Sequence, residues 1–281
     1  MSDRPELTQA PARKALGQHF LFDPDILRRT ALAAGPVEGR DVSEVGPGPG
    51  GLTRALLDQG GRSLTCIEAD GRFAEALRAW PEAEAGRLHV VEQDARKIIW
   101  TDLPAAQTAV SPVMIIANLP YNVGTPLLIN WLKARSWRGE MALMFQKEVA
   151  MRICARPGDP HYGRLAVLTA AVCDAAIAFT LPPGAFQPPP KVDSAVAVFR
   201  PLSPEDRYDD LDDLERVTTA AFGQRRKMLR ASLKSLAKTA QLTPSQWLES
   251  CDVDPTARAE TLTQKQFRAL ARFYGEARSC A

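Results

Sequence analysis

The sequence predicts an α/β chain, a mostly parallel sheet followed by a small all-helical domain. Three observations carry this. Short apolar runs alternate with helical patterns up to about residue 200, the pattern of strand–helix units that build parallel sheets. Strand signals stop after about Pro201, and Leu211 to Tyr274 reads as several short helices, with Pro244 and Pro255 near helix starts. A length of 281 residues suits one large domain plus a small one. The boundary is placed within 201–208, giving domains 1–203 and 204–281.

Seven strands are expected: Asp41–Val45, Leu64–Glu68, Leu88–Glu92, Val113–Ala117, Met141–Phe145, Ala176–Leu181 and Ala195–Phe199. Each is a short apolar or β-branched run. Helical patterns such as Leu52–Gln59, Gly71–Ala79, Pro126–Ala134 and Glu148–Ala155 lie between most of them. The last two strands have no long helix between them and read as an antiparallel pair. Between them runs Pro182-Pro183-Gly184-Ala185-Phe186-Gln187-Pro188-Pro189-Pro190-Lys191. Proline fixes φ and cannot donate to a ladder, so this stretch reads as a stiff surface loop.

Composition excludes several classes. No run of about 18 apolar residues exists, so no transmembrane helix or membrane partner is expected. The polar Met1 to Arg13 segment has no apolar signal core, which argues against secretion and for a cytoplasmic protein. The five cysteines are scattered, with no C-x-x-C, and the three histidines are far apart. Neither a disulfide framework nor a metal site is expected. A monomer is expected, since no long exposed apolar helix stripe is evident.

The net charge of +2 hides its distribution. Glu205 to Glu215 is acidic, with Asp206, Asp209, Asp210, Asp212 and Asp213. The next segment carries Arg225, Arg226, Lys227, Arg230, Lys234 and Lys238 with no acid after Glu215. Clustered charge of this kind is the electrostatic footprint of nucleic-acid binding, although a solvated helix face looks the same.

The first strand ends in Glu44-Val45-Gly46-Pro47-Gly48-Pro49-Gly50-Gly51 and a helix follows. Glycines there allow a tight turn and close approach of a ligand to bare backbone. No Gly-Lys-Ser/Thr follows, which disfavours a P-loop. Glu68 ends the second strand 22 positions beyond Gly46, near the spacing for an acid that holds ribose hydroxyls. Gln93-Asp94 follows the third strand. Both acids could equally be helix N-caps. Ligands in open α/β sheets bind outside the carboxyl ends of strands, so Gly46, Glu68, Asp94 and Asn118 should converge.

The fourth strand leads into Asn118-Leu119-Pro120-Tyr121. The Asn side chain and the Leu119 carbonyl can both accept hydrogen bonds from one amino group. The Tyr ring can stack on the heterocycle carrying that group. Chemistry on the exocyclic amine of adenine requires such an arrangement. A nicotinamide or flavin enzyme would share the glycine-rich turn but has no need of this tetrad.

In these stretches the chain resembles the ribosomal RNA adenine dimethyltransferases, most closely the bacterial small-subunit enzymes. The resemblance extends to Lys14 through Leu21 (K-A-L-G-Q-H-F-L), Ile67-Glu68-Ala69-Asp70, Gln93-Asp94-Ala95, Gln146-Lys147-Glu148-Val149 and Tyr162-Gly163-Arg164-Leu165. It also covers Phe186 through Ser194 and Ala221 through Lys227, in order along nearly the whole chain. It implies a Rossmann-like methyltransferase domain, S-adenosylmethionine as methyl donor with S-adenosylhomocysteine as product, and no metal. It further implies N6,N6-dimethylation of two adjacent adenosines near the 3′ end of small-subunit (16S) rRNA, in immature small ribosomal subunits. Cofactor contacts carry over to His19, Leu21, Gly46, Glu68, Asp94 and Asn118. His19 stands where the family usually has Asn, and Pro49 where it has a non-proline residue, which stiffens the turn.

Catalytic roles are expected for Asn118, Leu119 and Tyr121, with Phe186 as a second ring gripping the base. Lys147, Arg152, Arg164 and Lys191 join Arg225, Arg226, Lys227, Arg230 and Lys234 as candidates for RNA phosphate, several of the last group sharing a helix face. A large-subunit rRNA methyltransferase, or a binding protein that has lost turnover, remains an alternative.

Overall fold

The computed structural model describes residues 11–13, 17–103, 106–107, 111–134, 137–208 and 210–280. Lys14, Ala15 and Leu16 of the N-terminal motif, and Asp209 of the acidic stretch, lie outside them. The strands are β1 (Phe20–Leu21), β2 (Asp41–Val45), β3 (Ser63–Glu68), β4 (Leu88–Glu92), β5 (Val113–Asn118), β6 (Arg138–Gln146), β7 (Cys173–Leu181), β8 (Phe186–Gln187) and β9 (Ser194–Pro201).

Seven of them form one sheet in the order β4-β3-β2-β5-β6-β9-β7. The pairs β2–β3, β3–β4, β2–β5 and β5–β6 are parallel, and β9 runs antiparallel to β6. All seven expected strands are present, and β7 and β9 are neighbours. Two strands escaped the sequence reading. β1 and β8 form a separate antiparallel ribbon, with Phe20 opposite Gln187 and Leu21 opposite Phe186. The Pro-rich stretch is therefore not wholly loop. A pair of two-residue strands offers no periodicity to read, and only tertiary contact defines it.

The apolar run of β5 explains its central place. Val113 through Ala117 are completely buried, as expected for a parallel strand covered on both faces. Met114 and Ile116 pack in one core with Val42, Leu56, Leu64, Leu77 and Trp80. Each such side chain contributes about 1.5–3 kcal/mol on burial. The helices begin on local signals. Asp23 caps Pro24–Ala31 by accepting from the Asp25 and Ile26 amides at 2.9 and 3.1 Å, and Pro24 occupies a position where no amide hydrogen is needed. Asp70 caps Gly71–Arg78 in the same way.

The chain divides into two compact units, 1–150 with 176–201 and 151–175 with 202–281. The second unit starts within two residues of the expected boundary but also takes in 151–175, which the sequence reading gave to the first domain. Helix Arg164–Ala170 lies in that segment, and side chains distant in sequence bind it to the C-terminal helices. The Gln264 amide donates to the Val167 carbonyl at 2.7 Å, and Arg268 donates to the Ala170 carbonyl at 3.0 Å. Trp247, Phe267, Leu270 and Tyr274 are buried in this unit.

Candidate active site

The sheet reverses its winding at β2. From β2 the chain moves outward through β3 and β4, then returns to place β5 on the other side of β2. That topological switch point is where open α/β sheets hold ligands. A cavity opens there, at the carboxyl ends of β2 to β5. His19, Leu21, Gly46, Glu68, Asp94, Asn118, Leu119 and Tyr121 all line it. All six expected cofactor contacts and three of the four expected catalytic residues are thus brought together.

The glycine-rich turn shapes one wall. Gly46 has φ +69° and Gly48 φ +52°, conformations that side chains resist. A Cβ on Gly48 would also come within 2.8 Å of the Phe20 ring. The turn is held by Glu68, whose carboxylate accepts from the Gly48 amide at 2.9 Å and the Asp70 amide at 2.8 Å. Burial raises the Glu68 pKa, and these backbone hydrogen bonds act against that rise. Asp94 sits in a contrasting environment. It binds the Arg96 guanidinium at 2.6 Å and caps the short helix Ala95–Lys97. The Arg96 hydrogen bonds hold its pKa down to about 2. Asp94 therefore is an N-cap, as the plainer sequence alternative had it, while still lining the cavity.

Asn118 ends β5 and its side-chain Nδ2 donates to the His19 carbonyl at 3.0 Å. A carbonyl only accepts, so this bond fixes which way the amide points and leaves Oδ1 as a free-standing acceptor. The Tyr121 hydroxyl lies 2.7 Å from Ser194 Oγ, and burial raises the phenol's pKa. The His19 ring stacks on the Tyr121 ring, 5.6 Å between centroids with planes 30° apart.

Phe186 departs from expectation. It is buried at 5% exposure, packs in the apolar core and does not line the cavity. Pairing of β8 with β1 turns its ring inward. The basic segment also differs. Gln224–Lys227 form a turn, followed by two short helices, Leu229–Ser232 and Lys234–Thr239. Arg225, Arg226 and Lys227 therefore fall outside any helix, because the helix Leu211–Gly223 stops before them, while Arg230 and Lys234, four residues apart, are carried by the two short helices. Arg225 donates to the Tyr162 carbonyl and, at 3.3 Å, to that of Pro160. Arg226, Lys227, Arg230 and Lys234 are exposed, as are Arg152 and Lys191. Lys147 pairs with Asp193 at 3.4 Å, and Arg164 with Glu215 at 3.4 Å.

Three site features were not singled out from sequence. Glu44 lines the cavity yet is 1% exposed, accepting from the Thr53 hydroxyl at 2.7 Å and the Cys66 thiol at 3.5 Å. Burial pushes its pKa up to about 8. An acid directly before a glycine-rich turn was the available signal. Arg96 and Ser194 act through Asp94 and Tyr121, and nothing in their spacing marks them. Among the described residues no group of three His, Cys, Asp or Glu is placed to hold a metal ion, and no helix is long and apolar enough to cross a membrane.

With this geometry in view, comparison with known proteins is decisive. The family model described as ribosomal RNA adenine dimethylase matches residues 10–276. The chain belongs to that family. It is 50% identical over 260 residues to the "Ribosomal RNA small subunit methyltransferase A" of Gluconobacter oxydans (strain 621H), covering 92% of this chain and 82% of that one. The protein of the same name from Agrobacterium fabrum (strain C58 / ATCC 33970) is 51% identical over 265 residues, 92% of each chain. Among solved structures, a dimethyladenosine transferase from Plasmodium falciparum superposes with TM-score 0.74 at 26% identity, covering 92% of this chain and 98% of that one. The 23S rRNA methyltransferase ErmE, at 24% identity and TM-score 0.63 over 91% of this chain and 99% of its own, shares the fold. Family membership makes this chain an rRNA methyltransferase, of a type that uses S-adenosylmethionine. Its residues fit that molecule. The cavity offers carboxylate acceptors at the ends of β3 and β4 for hydroxyls and an amine, beside a turn whose Gly46 and Gly48 present bare backbone.

Proposed function

We propose that this chain dimethylates, on N6, two adjacent adenosines near the 3′ end of small-subunit rRNA, and does so on immature small ribosomal subunits. The observation that carries the reading is the Asn118 amide. Its nitrogen is committed to the His19 carbonyl, so its oxygen stands at the cavity as an acceptor for an amino group. S-adenosylmethionine would supply the electrophilic methyl group.

Glu68 would hold a ribose hydroxyl, since the Gly48, Asp70 and Ala69 amides leave its carboxylate acceptor capacity to spare. Asp94, kept ionised by Arg96, would accept from an adenine amine of the cofactor. Gly46, Leu21 and His19 complete that wall. The target amine is a poor nucleophile because its lone pair is conjugated into the ring. Asn118 Oδ1 and the Leu119 carbonyl would accept its two hydrogens and favour a pyramidal nitrogen with the lone pair aimed at the methyl. No tuned base is needed. Positioning and preorganised dipoles supply most of the rate, and the proton leaves to solvent. The base must first leave its stack, and Tyr121, its hydroxyl anchored on Ser194, would stack on it for about 1–3 kcal/mol. The buried Phe186 would serve by holding the loop onto β1.

RNA phosphate would meet Arg152, Lys191, Arg226, Lys227, Arg230 and Lys234, with Lys147 and Arg164 released from weak pairs to join them. Phosphate contacts position the strand without reading sequence. The test is label transfer from S-adenosylmethionine to immature small subunits, naked small-subunit rRNA and large-subunit rRNA. Dimethyladenosine at two adjacent small-subunit positions is expected. Label in large-subunit rRNA, or cofactor binding with no transfer, would overturn the proposal.

A further inference from the structure

The helical unit has a cavity of its own. It measures about 260 Å³ and is lined by residues of the segment 151–175 together with Leu202 and Gln264, all within the second unit. Three of these residues carry buried polar atoms that meet no hydrogen-bond partner: the Tyr162 hydroxyl, the Thr169 hydroxyl and Gln264 Oε1. Tyr162 and Thr169 are only 2% and 1% exposed. The Gln264 amide nitrogen is committed to the Val167 carbonyl at 2.7 Å, so its oxygen is left as an acceptor. Buried polar groups are normally matched, so three unmatched ones around one cavity mark it as a place where a partner binds.

The rest of the wall defines that partner. Ile153 and Leu202 are apolar, and Cys154 and Cys173 add thiols, neither in a disulfide. Burial pushes the Cys154 thiol up to about 11 and the Tyr162 phenol up to about 12, so both stay protonated and neutral. Among the described lining residues only Arg156 and Asp174 are charged, and both are exposed, 3.9 Å apart. What enters is therefore neutral and largely apolar, with a donor for Gln264 Oε1 and polar edges for two hydroxyls that can donate or accept. A nucleobase has these properties, and unpaired RNA bases are read in this way, splayed from the strand and hydrogen-bonded along an edge. The exposed Arg152 directly precedes Ile153, so cations for the adjoining phosphates stand close by in the chain.

We propose that this cavity receives an unpaired base of the small-subunit rRNA other than the adenines that are methylated. The inference rests on the proposed RNA substrate. Phosphate contacts position a strand without reading it, whereas this cavity reads one nucleotide.

The experiment compares Tyr162→Phe, Thr169→Val and Ala170→Leu with the wild type, all as full-length protein. Ala170 lines the cavity and is exposed, so a leucine there crowds the mouth. Affinity for immature small subunits is measured across a salt series, beside thermal melts, calorimetry with S-adenosylhomocysteine, and label transfer by the wild type. Tyr162→Phe and Thr169→Val each delete an unmatched hydroxyl and should melt at or above the wild-type temperature. Each should nevertheless bind the subunit about three- to tenfold more weakly, with the salt slope unchanged because a base contact releases no counterion. Ala170→Leu should weaken binding in the same salt-independent way, and S-adenosylhomocysteine affinity should not move. Subunit affinity within about twofold of wild type in all three variants would overturn the inference and leave the cavity to water. A loss that comes with a lowered melting temperature, or with a reduced salt slope, would also overturn it. A wild type that binds the subunit but transfers no methyl group would instead sink the functional proposal, and the binding comparison would still be readable.

Discussion

The cavity at the strand ends and the basic segment of the helical unit were both marked by charge and motif, and they behave differently. At the strand ends, residues spread from His19 to Tyr121 converge on one wall, because a parallel sheet forces the ends of neighbouring strands together. In the basic segment, neighbours in sequence part company. Arg225 turns back onto the Tyr162 and Pro160 carbonyls, while Arg226, Lys227, Arg230 and Lys234 face solvent from a turn and two short helices. A sheet converts motif spacing into a site. A run of short helices does not, and there each charge must be placed by its own contacts.

The sharpest test of convergence is Asn118→Ala. Methyl transfer should fall by about 10²–10³-fold or more, as when one preorganised group is removed from a catalytic site. The lost bond to the His19 carbonyl should cost only about 1 kcal/mol of stability. Label transfer beside a thermal melt checks both, and near-normal turnover would break the comparison.

Next comes Glu44, buried at the root of the same cavity. Its folded pKa of about 8 stands above the ordinary 4.5. Between those values the folded protein binds more protons than the unfolded chain, so this group makes stability fall as pH rises. The slope is at most about 1.4 kcal/mol per pH unit. Glu44→Gln should remove that component, gaining on the wild type at about pH 8 relative to about pH 5. Urea melts at both pH values measure it, and a gap independent of pH would mean the carboxyl titrates normally.

Tyr121→Ala should lower kcat/KM by roughly 10–100-fold through lost stacking, and Tyr121→Phe by only a few-fold through the lost Ser194 bond. Equal effects would move the role from the ring to the hydroxyl. The smallest effects belong to the basic segment. Single alanine substitutions of Arg226, Lys227, Arg230 or Lys234 should each lower the salt slope of RNA binding by about 0.7–1. Arg225→Ala should instead lower the melting temperature and leave that slope alone. A reduced slope in Arg225→Ala would erase the contrast between the committed arginine and its free neighbours.

Much of the sheet was legible because β2, β3 and β5 are largely buried runs and the edge strand β4 a short β-branched one, and their ends carry Gly46, Glu68, Asp94 and Asn118. The β1–β8 ribbon was not legible. Phe186 looked like an aromatic on a stiff loop, and only its partner Leu21, far away in sequence, turns it into core. From sequence, Glu148–Ala155 reads as one helix of the α/β series and 151–175 falls in the first domain, but the carbonyls at Val167 and Ala170 are satisfied by Gln264 and Arg268. Hydrophobic period sets what an element is, and partners set which unit owns it.

By itself the sequence determined the strand–helix alternation, the glycine-rich turn, and the chemical kinds at the strand ends. Those follow from local backbone sterics and from burial, which neighbouring residues dictate. Tertiary structure alone decided the environments. It gave Glu68 and Asp94 opposite pKa shifts, pushed the Glu44 pKa up to about 8, and bound the Asn118 amide nitrogen to the His19 carbonyl. Desolvation and hydrogen-bond partners act through space, so residues as distant in the chain as His19 and Asn118 set them.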